Sequence, residues 1–146
     1  MTPLATVILA AGKGTRMHCK TPKVLQSVGG RPLSCYAFQL AQALDARPVV
    51  VVVGPHAAGV TQVLPPEGWV AVDQWEPLGT GHAVQQTAER LKDFPGDILV
   101  LHADAAALLR PETLQSLIEA HQSAGAVATL LTTIKSIDPM YAYFNI

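Results

Sequence analysis

LAAGKGTRM, Leu9 to Met17, followed by TPKVL, Thr21 to Leu25, decides the reading of this chain. Ahead of it, Thr6 to Leu9 is a β-branched and aliphatic run of the kind that lies buried in a parallel sheet. The chain then passes through Ala10, Ala11 and Gly12 and meets no bulky side chain before Lys13, so backbone can come close to a ligand. Gly12 and Gly14 permit positive φ and let successive N–H groups converge on phosphate oxygens. Arg16 and Lys23 add cations able to neutralise a polyphosphate from the side. The loop is neither a Walker loop, which needs Gly-Lys followed at once by Ser or Thr, nor the dinucleotide fingerprint GxGxxG. Gly12 and Gly14 open a longer, irregular connection in which Pro22 restricts Thr21 to extended geometry.

Outward from this loop, apolar strands alternate with helical patterns. Residues 6–9, 48–53, 70–73, 98–101 and 127–131 read as strands, and 33–44, 57–64, 81–91 and 111–124 as helices. The last helix starts at Pro111, a favoured first position, and carries Leu114, Leu117, Ile118 and His121 on one face. This rhythm predicts an α/β fold, a mainly parallel sheet with helices on both faces. Ligands of such sheets bind beyond the carboxyl ends of the strands.

Composition bounds the function. At 146 residues, with 49% hydrophobic and 14% charged side chains, one sizeable core is expected in a single domain spanning 1–146. A net charge of −1 argues against a broad nucleic-acid or polybasic membrane surface. Met1 to Ala11 lacks the basic start and long apolar centre of a signal peptide, so a cytoplasmic location is expected. Cys19 and Cys35 have no zinc-ligand spacing and are expected as free thiols. His18, His56, His102 and His121 form no metal spacing and read as structural or solvated.

The GxGTRM loop with its later Pro-Lys resembles the signature of the sugar-phosphate nucleotidyltransferases, a Rossmann-like fold. A second string, Gln74 to Ala83, QWEPLGTGHA, is similar to the segment by which bacterial N-acetylglucosamine-1-phosphate uridyltransferases read uracil. A third, His102-Ala103-Asp104 after the apolar run Ile98 to Leu101, is similar to that family's metal-binding segment, although the family has an aromatic residue and a Gly before its Asp. The three strings stand in the family's order.

That resemblance implies UTP-dependent uridylyl transfer to N-acetylglucosamine 1-phosphate, with Mg²⁺ as cofactor, for cell-envelope precursors. It implies catalytic charge stabilisation by Arg16 and Lys23, and nucleotide contacts at Leu9, Ala11, Gly12, Gly14, Lys23, Gln74, Gly79 and Thr80. Asp104 is the implied metal ligand. Read from the residues alone, Asp104 also suits the cap of a turn, Thr80 the N-cap of its helix, and His82 a packed or capping role. The Gln74 amide can both donate and accept, as the adjacent carbonyl and N–H of uracil require.

After Thr132 the family carries a Gly-Tyr-Gly turn and then a Glu and two Asn that hold sugar and metal, whereas here Tyr141-Ala142-Tyr143 stands at the turn. The resemblance therefore implies a site truncated on its C-terminal side, without the family's acetyltransferase β-helix. Weak UTP binding and little turnover are expected of it. Two other readings stay open: a non-catalytic uridine-nucleotide-binding module, and transfer of another nucleotide to a sugar phosphate, a cofactor or an alcohol phosphate. The oligomeric state is also open.

Overall fold

The computed structural model describes residues 2–12, 14, 21–55 and 57–132. Its elements fall into two compact units that divide after Pro111. In the first, strands β1 (Leu4–Leu9), β4 (Val49–Val53), β5 (Val70–Asp73) and β6 (Asp97–His102) form one sheet in the order β5-β4-β1-β6. Every pairing is parallel, with Thr6 opposite Val49 and Leu99, and Val50 opposite Val70. Between β1 and β4 lie a 3₁₀ turn (Lys23–Leu25), the short strands β2 (Ser27–Val28) and β3 (Arg31–Pro32), and helix α1 (Leu33–Ala43). Helix α2 (Ala57–Val63) joins β4 to β5, α3 (Thr80–Gln85) and α4 (Ala88–Leu91) join β5 to β6, and a 3₁₀ turn (Ala106–Leu108) follows β6.

The sequence explains the layering. Five consecutive valines in β4 are all buried, as in a strand covered on both faces. On one face, Ala5 and Val7 of β1 pack with Val50 and Val52, with Ala83 of α3 and with Leu91 of α4. Thr6 and Ile8, which alternate to the opposite face, are also fully buried. At β6 the pattern alternates instead, with Leu99 and Leu101 buried and Ile98 and Val100 exposed. The chain thus builds β1, β4 and β5 outward in one direction, then returns to lay β6 on the other side of β1. The order reverses there, and the carboxyl end of β1 opens at that switch point.

Two sequence expectations are corrected, and one element comes in addition. The 81–91 helix is interrupted at Gln86 and Thr87, because the buried Thr87 hydroxyl donates to the Val84 carbonyl oxygen at 2.7 Å, three residues back, and competes with the helical ladder. Residues 127–131 form no strand: Val127 and Leu130 are exposed, and β-branched composition produces a strand only where a neighbour supplies the hydrogen-bond ladder. The β2–β3 hairpin was not expected, although its Gly29-Gly30 turn, with φ of 57° and 81°, is the residue pair that a two-residue turn with both φ positive favours. Helix α5 (Pro111–Ala124), which belongs to the second unit from Glu112 on, begins and ends where its sequence pattern places it.

Candidate active site

The described residues of the expected site sit at the carboxyl ends of β1, β5 and β6 and on the segments that follow them, and backbone bonds fix where each connection begins. Ala10 N–H donates to the Val52 carbonyl oxygen at 2.8 Å, Gln74 N–H to that of Val53 at 2.8 Å, and Ala103 N–H to that of Leu9 at 3.2 Å. Between these exits lies a cavity of about 430 Å³. Leu9, Ala11, Gly12 and Gly14 line it from the first loop and Lys23 from the following 3₁₀ turn. Gln74, Gly79 and Thr80 line it from the connection after β5, and Asp104 from the segment after β6. Arg16 lies outside the described residues.

The two glycines of the first loop behave differently. Gly14 has φ 61°, and a Cβ there would stand 2.7 Å from that of Lys23, so only glycine allows the loop to close over the lysine. Gly12 does not use the left-handed region that it permits, and a Cβ there would meet nothing within 4 Å among the described residues. Its missing side chain leaves room in the cavity without being required by the fold.

Lys23 and Asp104, widely separated in sequence, meet in an ion pair between Nζ and Oδ2. Burial opposes ionisation of Asp104 most strongly. It is outweighed by the hydrogen bond and charge of Lys23, with a backbone hydrogen bond and His102 adding to them, and the carboxyl stays below its ordinary value. With side chains 40% and 29% exposed, both groups remain reachable by a ligand from the cavity. His102, read from sequence as structural or solvated, lines the same cavity. Asp104 is a hard oxygen donor of the kind a small divalent cation takes together with phosphate oxygens. No cluster of three or more His, Cys, Asp or Glu that could hold a metal occurs among the described residues.

Gln74 is only 5% exposed, which rules out an ordinary surface glutamine. Its Nε2 stands 3.1 Å from the Gly79 carbonyl oxygen and 3.0 Å from His82 Nδ1. One amide hydrogen has the Gly79 carbonyl oxygen as its acceptor, and the other has one in the ring tautomer that leaves Nδ1 unprotonated; in that tautomer the oxygen is what Gln74 has left for a ligand. Thr80 is the first residue of α3 and not its cap; Gly79, at φ 107°, takes the cap position, and no side chain caps the helix. Cys35 is a free thiol held up by burial, with the Arg31 charge opposing the shift, and its Sγ lies 3.4 Å from the Val63 carbonyl oxygen. Cys19 lies outside the described residues.

An irregular glycine loop, a lysine and a carboxylate thus face one another across a parallel-sheet switch point. The model of the MobA-like NTP transferase domain matches residues 6–143. The chain belongs to this NTP transferase family. The chain is 46% identical over 130 residues to the bifunctional protein GlmU of a Picosynechococcus strain, covering 88% of this chain and 29% of that protein. It is 44% identical over 135 residues to the GlmU of an Anaeromyxobacter strain, covering 90% of this chain and 28% of the relative. The resemblance read from the three strings is borne out by these relatives, of whose length the chain spans less than a third. Among solved structures, a manganese complex of Rv0371c from Mycobacterium tuberculosis shares the fold, with a TM-score of 0.69 at 19% identity. That likeness covers 84% of this chain and 61% of the other. The chain is accordingly a nucleotidyltransferase domain of the α/β, parallel-sheet class.

Proposed function

We propose that the cavity at the switch point takes UTP and that the chain carries the nucleotide side of uridylyl transfer to N-acetylglucosamine 1-phosphate. The observation that carries this reading is the convergence of the Gly12–Gly14 loop, Lys23, Gln74 and Asp104 on one cavity. The triphosphate lies along the first loop, where Lys23, together with Arg16, draws negative charge toward the β- and γ-phosphates. Gln74 Oε1 accepts the N3–H of uracil, a position at which cytosine presents a lone pair. The sugar phosphate oxygen attacks the α-phosphorus, the bond to the bridging oxygen breaks, and pyrophosphate leaves. Catalysis is by alignment and charge stabilisation, without a covalent enzyme intermediate.

Asp104 would hold a divalent cation, Mg²⁺ in this reading, which neutralises phosphate charge when bound. Lys23 must then hand the carboxylate over and turn to the phosphates, an exchange between two anionic partners of similar reach. The product class, a UDP-sugar, fits a cytoplasmic supply of cell-envelope precursors. No helix among the described residues is long and apolar enough to cross a membrane.

Calorimetric titration of the 146-residue chain with UTP, CTP, GTP and ATP in the presence of Mg²⁺ tests the reading. UTP is expected to bind most tightly. In Gln74→Glu the affinity for UTP falls about tenfold, because a carboxylate turned toward the Gly79 carbonyl oxygen and His82 Nδ1 has no hydrogen to give them. Equal binding of all four nucleotides, or tighter binding of a purine, refutes the uridine assignment.

A further inference from the structure

His82 is not among the expected nucleotide contacts, yet it touches the residue that reads the base. The Gly79 carbonyl oxygen can only accept, so the atom of Gln74 that stands 3.1 Å from it must be the amide nitrogen. The same nitrogen is 3.0 Å from His82 Nδ1, where its second hydrogen needs a lone pair. A neutral imidazole with a free Nδ1 carries its proton on Nε2. That nitrogen lies 3.0 Å from Nε2 of Gln86, one helical turn further along the chain, and the same amide nitrogen donates to the His82 carbonyl oxygen at 3.3 Å. A neutral ring cannot accept at both nitrogens, so one of the two amides must turn over. It is that of the half-buried Gln86, whose side-chain bond to the His82 carbonyl oxygen is the longer one and leaves that oxygen its bond from the Gln86 backbone N–H at 3.2 Å; the Gln86 oxygen then accepts the Nε2 proton. A relay thus runs from α3 through one ring to the cavity wall.

Resting on the uridine reading above, we infer that His82 is a positioning residue for base selection: by accepting at Nδ1 it locks the Gln74 amide with its nitrogen turned away, so that only the oxygen faces the base. Without that acceptor, one amide hydrogen of Gln74 has no partner, and the group is free to rotate and present its nitrogen to the cavity. An N–H directed at the base suits the N3 lone pair of cytosine and clashes with the N3–H of uracil. The partner that decides uracil over cytosine is therefore His82 as much as Gln74, although the ring touches no nucleotide.

Two variants of the 146-residue chain separate this from a packing role. His82→Leu keeps apolar volume and removes the acceptor. His82→Asn places an amide oxygen within reach of Gln74 and restores it. UTP and CTP dissociation constants, measured by calorimetry with Mg²⁺, are expected to show the UTP preference falling about tenfold in the Leu variant and largely returning in the Asn variant. CTP affinity should hold or rise in the Leu variant. A uniform loss for both nucleotides, or an unchanged preference, overturns the inference while leaving the uridine reading in place. A wild-type chain with no UTP preference overturns both. Independently of any substitution, long-range ¹H–¹⁵N spectra of histidine-labelled wild-type protein read the ring directly. The Nε2-protonated tautomer is required for His82, and a ring protonated at Nδ1 refutes the relay.

Discussion

Replacing Gly14 by Ala tests whether the first loop is shaped by its contact with Lys23. The added Cβ would lie 2.7 Å from Lys23 Cβ and 3.3 Å from its backbone nitrogen. Carbon atoms prefer about 3.5–4.0 Å, so the two segments must separate by about 1 Å. Alanine also pays for the left-handed backbone at φ 61°, about 1–2 kcal/mol on its own. Relieving the overlap by loop movement adds about 1 kcal/mol or more. The expected loss in urea-induced unfolding is thus about 2–3 kcal/mol if the loop stays closed, and less if it opens. Opening carries Lys23 away from Asp104 and from the place proposed for the triphosphate, so UTP affinity falls in either case. Gly12→Ala is the control: its Cβ meets nothing within 4 Å, and the variant should unfold with the wild type while still losing UTP affinity through lost cavity space. If Gly14→Ala matches the wild type in both urea midpoint and UTP affinity, the closed loop is wrong.

Lys23→Met removes the partner that outweighs burial at Asp104, so the Asp104 carboxyl pKa should rise in the variant, as read by ¹³C carboxyl titration. A carboxyl lowered in the folded state adds stability above its unfolded pKa and loses it as pH falls through the lower folded value, so the acid limb of the wild-type stability curve should flatten in Lys23→Met. An unmoved Asp104 titration would show that the ion pair does not form in solution. Thr6→Val exchanges a fully buried hydroxyl that has no hydrogen-bond partner among the described residues for a methyl group of the same shape in the central strand. Stability should increase by about 1 kcal/mol, and a lower urea midpoint would mean that the hydroxyl has a partner.

The sequence by itself determined the alternation of strand and helix, and with it the parallel sheet, because buried parallel strands are written as short apolar runs such as Val49–Val53. It also placed the nucleotide loop and both later strings at strand carboxyl ends, since each begins where an apolar run stops. The β2–β3 hairpin is marked locally, by the Gly29-Gly30 pair of its turn. Other features were not written locally at all. The order β5-β4-β1-β6 depends on pairing between distant segments, and the apolar run at 127–131 looks like a strand from within but has no ladder. The break at Thr87 turns on whether one hydroxyl finds the Val84 carbonyl oxygen or water. Only the tertiary structure joined Lys23 to Asp104 and set the Gln74 amide nitrogen between the Gly79 carbonyl oxygen and His82 Nδ1. Residue type states what a side chain can donate or accept, and the folded neighbours decide which of those capacities remains for a ligand.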